Sequence, residues 1–138
     1  MFLNIKEEKN NETNLVKIGA LLIHTAKIDE NYSKEEEEII RKTLQNLGAK
    51  QSNLDNLIEM AKQCEEDANQ ILDFTKEIKA LGDDDKIKII KSLWKIIYSN
   101  NDADIYETNL MRRLAGLLYI DSKIMGDIKE EIKKENLK

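Results

Sequence analysis

The sequence predicts an all-α fold: a single compact bundle of about seven helices with a pseudo-two-fold internal repeat. Three observations carry that expectation. Apolar residues recur at spacings of three and four along the chain, and no segment keeps the strict alternation of a half-buried strand. There is no proline, and only five glycines and seven aromatics punctuate 138 residues, too few for a turn-rich sandwich or barrel. Hydrophobic residues make up 41% and charged residues 36%, too apolar for disorder and too polar for a membrane span.

Residues 1–12 read as an N-terminal arm and 13–138 as the helical domain. Leu15, Ile18, Leu22 and Ala26 form the first stripe, widened by Val16 and Ile23. His24 lies beside it; packing with one hydrogen bond accounts for it, a ligand or proton carrier being the sharper alternative. Ile40, Thr43, Leu44 and Leu47 give the second helix, ended by Gly48 as a left-handed cap. The preceding run Lys34-Glu35-Glu36-Glu37-Glu38 pairs at four-residue spacing with Arg41 and Lys42 as surface support.

Leu54, Leu57, Ile58, Ala61 and Cys64 make the third stripe, and Ala68, Ile71, Leu72, Thr75 and Ile78 the fourth. The two are in phase, so residues 54–81 could form one helix of about 42 Å. A domain of this length has a radius of gyration of about 14 Å, which favours a break near Glu65-Glu66-Asp67. The fifth helix follows Asp83-Asp84-Asp85, three acids suited to a helix start, and is the most apolar. It is expected to run through the middle of the core, with Trp94 pinned between the halves. Leu110, Met111, Leu114, Ala115 and Leu118 mark the sixth, and Ile124, Ile128 and Ile132 the last.

Several functions are disfavoured by composition. The net charge of −5 argues against nonspecific nucleic-acid binding, which depends on Lys and Arg. The lone Cys64 can make neither an internal disulfide nor a zinc site, and a reducing, cytoplasmic setting follows. The amino terminus lacks the basic lead and apolar stretch of a signal peptide. No phosphate loop, nucleophile triad or dinucleotide fingerprint occurs, so the expectation is a protein that is not an enzyme. Charge is uneven: residues 1–48 carry −2, 49–85 carry −6 and 86–138 carry +3. In the basic third, Lys88, Lys91 and Lys95 recur at helical spacing, with Arg112 and Arg113 beyond. They are candidates for docking an acidic partner or anionic lipid, against the plainer reading of a solvated face.

A shift of 71 residues lays the two halves on each other, about 13–48 on 84–120. It places Leu22 on Leu93, Asp29 on Asn100, Asn31 on Asp102 and Ser33 on Asp104. It also places Glu36 on Glu107, Arg41 on Arg112 and Leu47 on Leu118. Each half is an apolar helix, an oxygen-rich turn and an amphipathic helix. Ser33 with Glu36, and Asp104 with Glu107, both fit a capping box. The same oxygens form a candidate cation set: Asp29, Asn31 and Glu36 in one turn, Asn100, Asp102, Asp104 and Glu107 in the other. The EF-hand pattern fails, because Lys34 and Ile40, or Ile105 and Met111, stand where Gly and Glu are required. Helix capping is the expected duty and no cofactor is implied, with weak calcium or magnesium binding as the alternative. Tyr98 and Tyr106 flank the second turn, covering it or meeting a partner.

Helix, acidic turn and capped helix, twice in one chain, resembles the TerB family of tellurite-resistance-type proteins. The family turn reads Ala-Asp-Gly-x-Ile/Leu-Asp-Pro-x-Glu, matched by residues 28–36 and 99–107. The segments 73–78, 93–98 and 111–115 are similar to the TerB branch of unassigned bacterial proteins. Both turn glycines are replaced here, by Glu30 and Asn101, and both prolines, by Lys34 and Ile105. Asn100 replaces an aspartate, so the capping half of the motif persists better than the ligand half. The resemblance implies a helical bundle related to the amino-terminal domain of DjlA-type co-chaperones, without their J-domain His-Pro-Asp. It also implies association with stress-response or membrane-linked complexes. The expected function is a noncatalytic adaptor that binds an unidentified protein partner and not nucleic acid, reaching membranes only through its partners. A divalent-cation-responsive module is the alternative.

Overall fold

Seven α-helices account for nearly all of the chain that a computed structural model describes. The backbone is described for residues 2–28, 33–99 and 105–136, and side chains among these from residue 12 to residue 135. In order they are α1 (Phe2–Ala26), α2 (Lys34–Asn46), α3 (Leu54–Asp67), α4 (Leu72–Lys79), α5 (Asp83–Tyr98), α6 (Ile105–Leu117) and α7 (Ser122–Asn136), with a 3₁₀ turn at Gln51–Asn53 before α3. No strand occurs among the described residues. Residues 2–12 continue α1 backwards from the domain.

Helix ends follow from local chemistry. At α2 the Ser33 hydroxyl accepts from the Glu36 amide at 3.1 Å, and the Glu36 carboxylate accepts from the Ser33 amide at 2.9 Å. This is the reciprocal box expected there. The far ends of α2 and α6 share one motif. Ala49 N–H donates to the Leu44 carbonyl at 2.9 Å, and Ile120 N–H donates to the Ala115 carbonyl at 2.9 Å. Each six-residue closure needs one left-handed residue: Gly48 (φ 112°) in the first half and Tyr119 (φ 57°) in the second. A tyrosine carries a Cβ penalty there that glycine does not. Tyr119→Gly is therefore expected to raise stability by about 0.5–1 kcal/mol, a gain of a few degrees in Tm. A thermal melt at or below the parent value would contradict that geometry.

Packing departs from expectation or adds to it in three places. The central helix is α1, not α5: α1 packs against α2, α3, α4 and α5, whereas α5 packs on α1, α2 and α7. The reason is small residues. Gly19 and Ala20 are buried on α1, and a Cβ at Gly19 would lie 2.9 Å from the Ala61 Cβ of α3. Two helix backbones can approach that closely only without a side chain between them. Second, the contacts of Trp94 include α7, through Lys129, and it borders a groove lined by α6 and α7. Third, the third and fourth stripes are separate helices as expected, broken over residues 68–71, but α4 buries a different face from the one expected. That break resets the phase of α4, so Phe74 enters the core at 1% exposure while Leu72 is 45% exposed. On α7, Met125 rather than Ile124 begins the buried face.

Polar contacts fix the helices relative to one another. Thr43 of α2 and Ser92 of α5 bring their buried hydroxyls to 2.6 Å. The Lys86 ammonium, buried at the start of α5, donates to the Leu118 carbonyl at the end of α6 at 3.0 Å. That places a cation at the negative end of a helix dipole. The charges of α2 pair across to α3 rather than only along their own helix. Arg41 meets Asp55 at 2.7 Å, and Glu37 meets Lys62 at 3.4 Å. The hydrogen bond that the guanidinium donates to Asp55 is the chief cause holding Arg41 above its usual pKa.

Candidate functional site

The 71-residue shift expected from the turns extends over whole helices. It lays α2 on α6 with both ends coincident, and the 3₁₀ turn with α3 on α7. The side chains between these pairs differ systematically. Where the first half has Glu37, Leu44, Gln45 and Asp55, the second has Thr108, Ala115, Gly116 and Gly126. Four large side chains give way to four small ones on a repeated backbone. The consequence is a groove of about 430 Å³ between α6 and α7.

Trp94, Met111, Ile120 and Met125 supply its apolar surface, and Thr108, Ala115, Gly116 and Gly126 its low walls. A Cβ at Gly116 or Gly126 would meet nothing within 4 Å, so the space beside each is open. Along α6 the lining positions run from Thr108 to Gly116, two turns or about 12 Å. Trp94 is 2% exposed and stacks on Tyr98 with ring centroids 5.9 Å apart. Its indole N–H is buried without an acceptor among the described residues.

Two cations border this apolar surface, and no carboxylate lines it. The Lys129 ammonium lies 5.5 Å from the Trp94 ring centroid, a cation–π contact. Arg112 lines the groove and forms no ion pair with the described residues. Its first-half equivalent, Arg41, is held by Asp55, whose own equivalent is Gly126. The exchange of Glu37 for Thr108 is of the same kind: Lys62 has its glutamate, whereas for the equivalent Lys133 the matching position holds a threonine. The second half has thus lost both carboxylates that brace the first.

The residues singled out from sequence distribute as follows. Arg112 is in the groove; Arg113, its exposed neighbour on α6, is not among the lining residues. Lys88 and Lys95 are exposed on α5, while Lys91 is half-buried and pairs with Glu131 of α7 at 3.8 Å. The basic residues therefore do not converge on one spot. Of the candidate cation ligands, Asp29, Asn31, Asn100, Asp102 and Asp104 lie outside the described residues. Glu36 and Glu107 are both buried, at 1% and 6% exposure, and Glu36 is engaged in its capping box. No group of three His, Cys, Asp or Glu among the described residues could hold a metal ion. His24 lies 3.4 Å from Glu65, which also takes the Lys27 ammonium at 2.8 Å. Lys129, Gly126 and the open side of Trp94 were not legible as site features, although carrying the 71-residue shift past residue 118 sets Asp55 against Gly126.

Residues 15–130 match the family model described as Tellurite resistance protein TerB. Comparison with curated proteins and with solved structures gave no match.

Proposed function

The chain belongs to the TerB family, and from that premise we propose a noncatalytic adaptor that holds a protein partner in the groove between α6 and α7. The observation that carries the reading is the apolar-lined groove beside Trp94, bordered by Arg112 and Lys129 with no carboxylate in its lining. A concave, largely apolar groove with a few polar groups at its border is characteristic of binding sites. A tryptophan, two methionines and an arginine are also the residue types enriched at the centres of interfaces. The lining holds no histidine, cysteine or acid that could serve as base or nucleophile. No helix among the described residues is long and apolar enough to cross a membrane. The adaptor works in the cytoplasm and reaches stress-response or membrane-linked complexes through what it binds.

Photo-crosslinking in producing cells tests this. A photoreactive residue at Thr108, on the groove wall, is expected to give discrete protein adducts; the same residue at Asn56, exposed on α3, is expected to give none. Equal labelling from both positions, or none from Thr108, would overturn the reading.

A further inference from the structure

We infer that the occupant of the groove is an amphipathic helix of the partner protein, carrying a carboxylate that seats on Arg112 where Asp55 seats on Arg41 in the first half. The inference rests on the docking role proposed above and names the chemistry of what docks. Three observations support it. The repeated backbone shows what satisfies an arginine at this register: a carboxylate from the neighbouring helix, 2.7 Å away. In the second half the backbone places Gly126 there, so this position offers Arg112 no carboxylate, and no described residue forms an ion pair with it. The cations that border the apolar surface, Arg112 and Lys129, are complementary to an acidic flank and repel a basic one.

Shape selects a helix. The groove runs along two helices for about two turns, the span of anchors at positions i, i+3/i+4 and i+7 of a third helix. Its low walls are the glycine and alanine positions, which admit side chains of a partner rather than a flat surface. Methionines at 111 and 125 adapt to branched or aromatic anchors. The arrangement is helix-in-groove recognition with the acidic residue fixing register. Arg112 donates to that carboxylate through its planar guanidinium, a geometry lysine does not reproduce.

The chain contains one tryptophan, and it lies beside the groove, so its emission reports occupancy without a label. The probes are a synthetic amphipathic peptide of about 18 residues, five turns of helix, with leucine anchors and glutamate flanks, and the same peptide with glutamine for glutamate. The glutamate peptide is expected to shift Trp94 emission saturably, with the glutamine peptide about tenfold weaker. Gly126→Asp supplies the carboxylate within the chain, as Asp55 does, and is expected to weaken the glutamate peptide about tenfold. Aspartate is no worse than glycine inside a helix, and a circular-dichroism melt confirms that this variant folds. Arg112→Gln is expected to bring the two peptides to equal affinity.

Equal binding of both peptides by the parent chain would overturn the inference, as would unchanged binding in Gly126→Asp. A response to phosphatidylglycerol vesicles alone would also overturn it, in favour of a lipid surface. A shift of Trp94 emission with protein concentration and no peptide would assign the groove to a second copy. Adducts from Thr108 together with refusal of the glutamate peptide would leave the docking role standing and remove only this account of the partner.

Discussion

Trp94→Ala is expected to lower stability by about 3–5 kcal/mol, a large share of what a domain of this size possesses. The side chain is 2% exposed, stacks on Tyr98 and lies under the Lys129 ammonium, so its removal opens a cavity bounded by α5, α6 and α7. Because the indole N–H has no acceptor among the described residues, truncation strands no hydrogen-bond partner there. The loss is one of packing and apolar burial. Urea unfolding followed by circular dichroism measures it. A midpoint near that of the parent chain would show that α5 does not bury this residue against α6 and α7.

The second large effect has a counterintuitive sign. Alanine is ordinarily preferred to glycine inside a helix by roughly 0.5–1 kcal/mol. Gly19→Ala is nevertheless expected to destabilise by about 1–3 kcal/mol, because its new methyl would sit 2.9 Å from the Ala61 Cβ. The Leu44 side chain, 3.6 Å away, limits sideways relief. Ala61→Gly should restore much of the loss in the double variant, since it removes the opposing methyl. The coupling between the two changes, read from four urea midpoints, is the measurement. Additive effects, or a more stable Gly19→Ala, would show that α1 and α3 stand farther apart.

Much of this architecture is legible in the amino-acid sequence, for identifiable reasons. The spacing of Ile40, Thr43 and Leu44, and of Met111, Leu114, Ala115 and Leu118, marks faces that are buried in the structure. Gly48 announces the end of α2 because left-handed backbone favours glycine. Tyr119, in the same conformation at the equivalent position, announces nothing, since its strain arises only once the helix end is built. The shift that matched Arg41 to Arg112 held over complete helices. The central position of α1 was harder to read: α5 is rich in isoleucine, but Gly19 and Ala20 decide which helix others can approach. Hydrophobicity indicates what is buried, whereas small side chains indicate how closely.

The groove was the least legible part. Four of its positions matter through what they lack, and an absent side chain gives no periodic signal until the opposing helix is known. Arg112 stands out in the sequence only as a charge, and its significance depends on Asp55 bracing Arg41 and on glycine occupying the matching place. Charge recurrence along α5 pointed instead to Lys88, Lys91 and Lys95, one of which is committed to Glu131.

The placement of Lys86 has a chemical consequence of its own. Most lysines of this chain stand in water, where an acylating reagent can reach them at any moment, whereas the Lys86 amine is shut between the beginning of α5 and the last carbonyls of α6. Covalent capture of that nitrogen requires its bond to the Leu118 carbonyl to open. Its rate of acylation is therefore a clock for that opening, set by the molecule's internal motions rather than by the reagent.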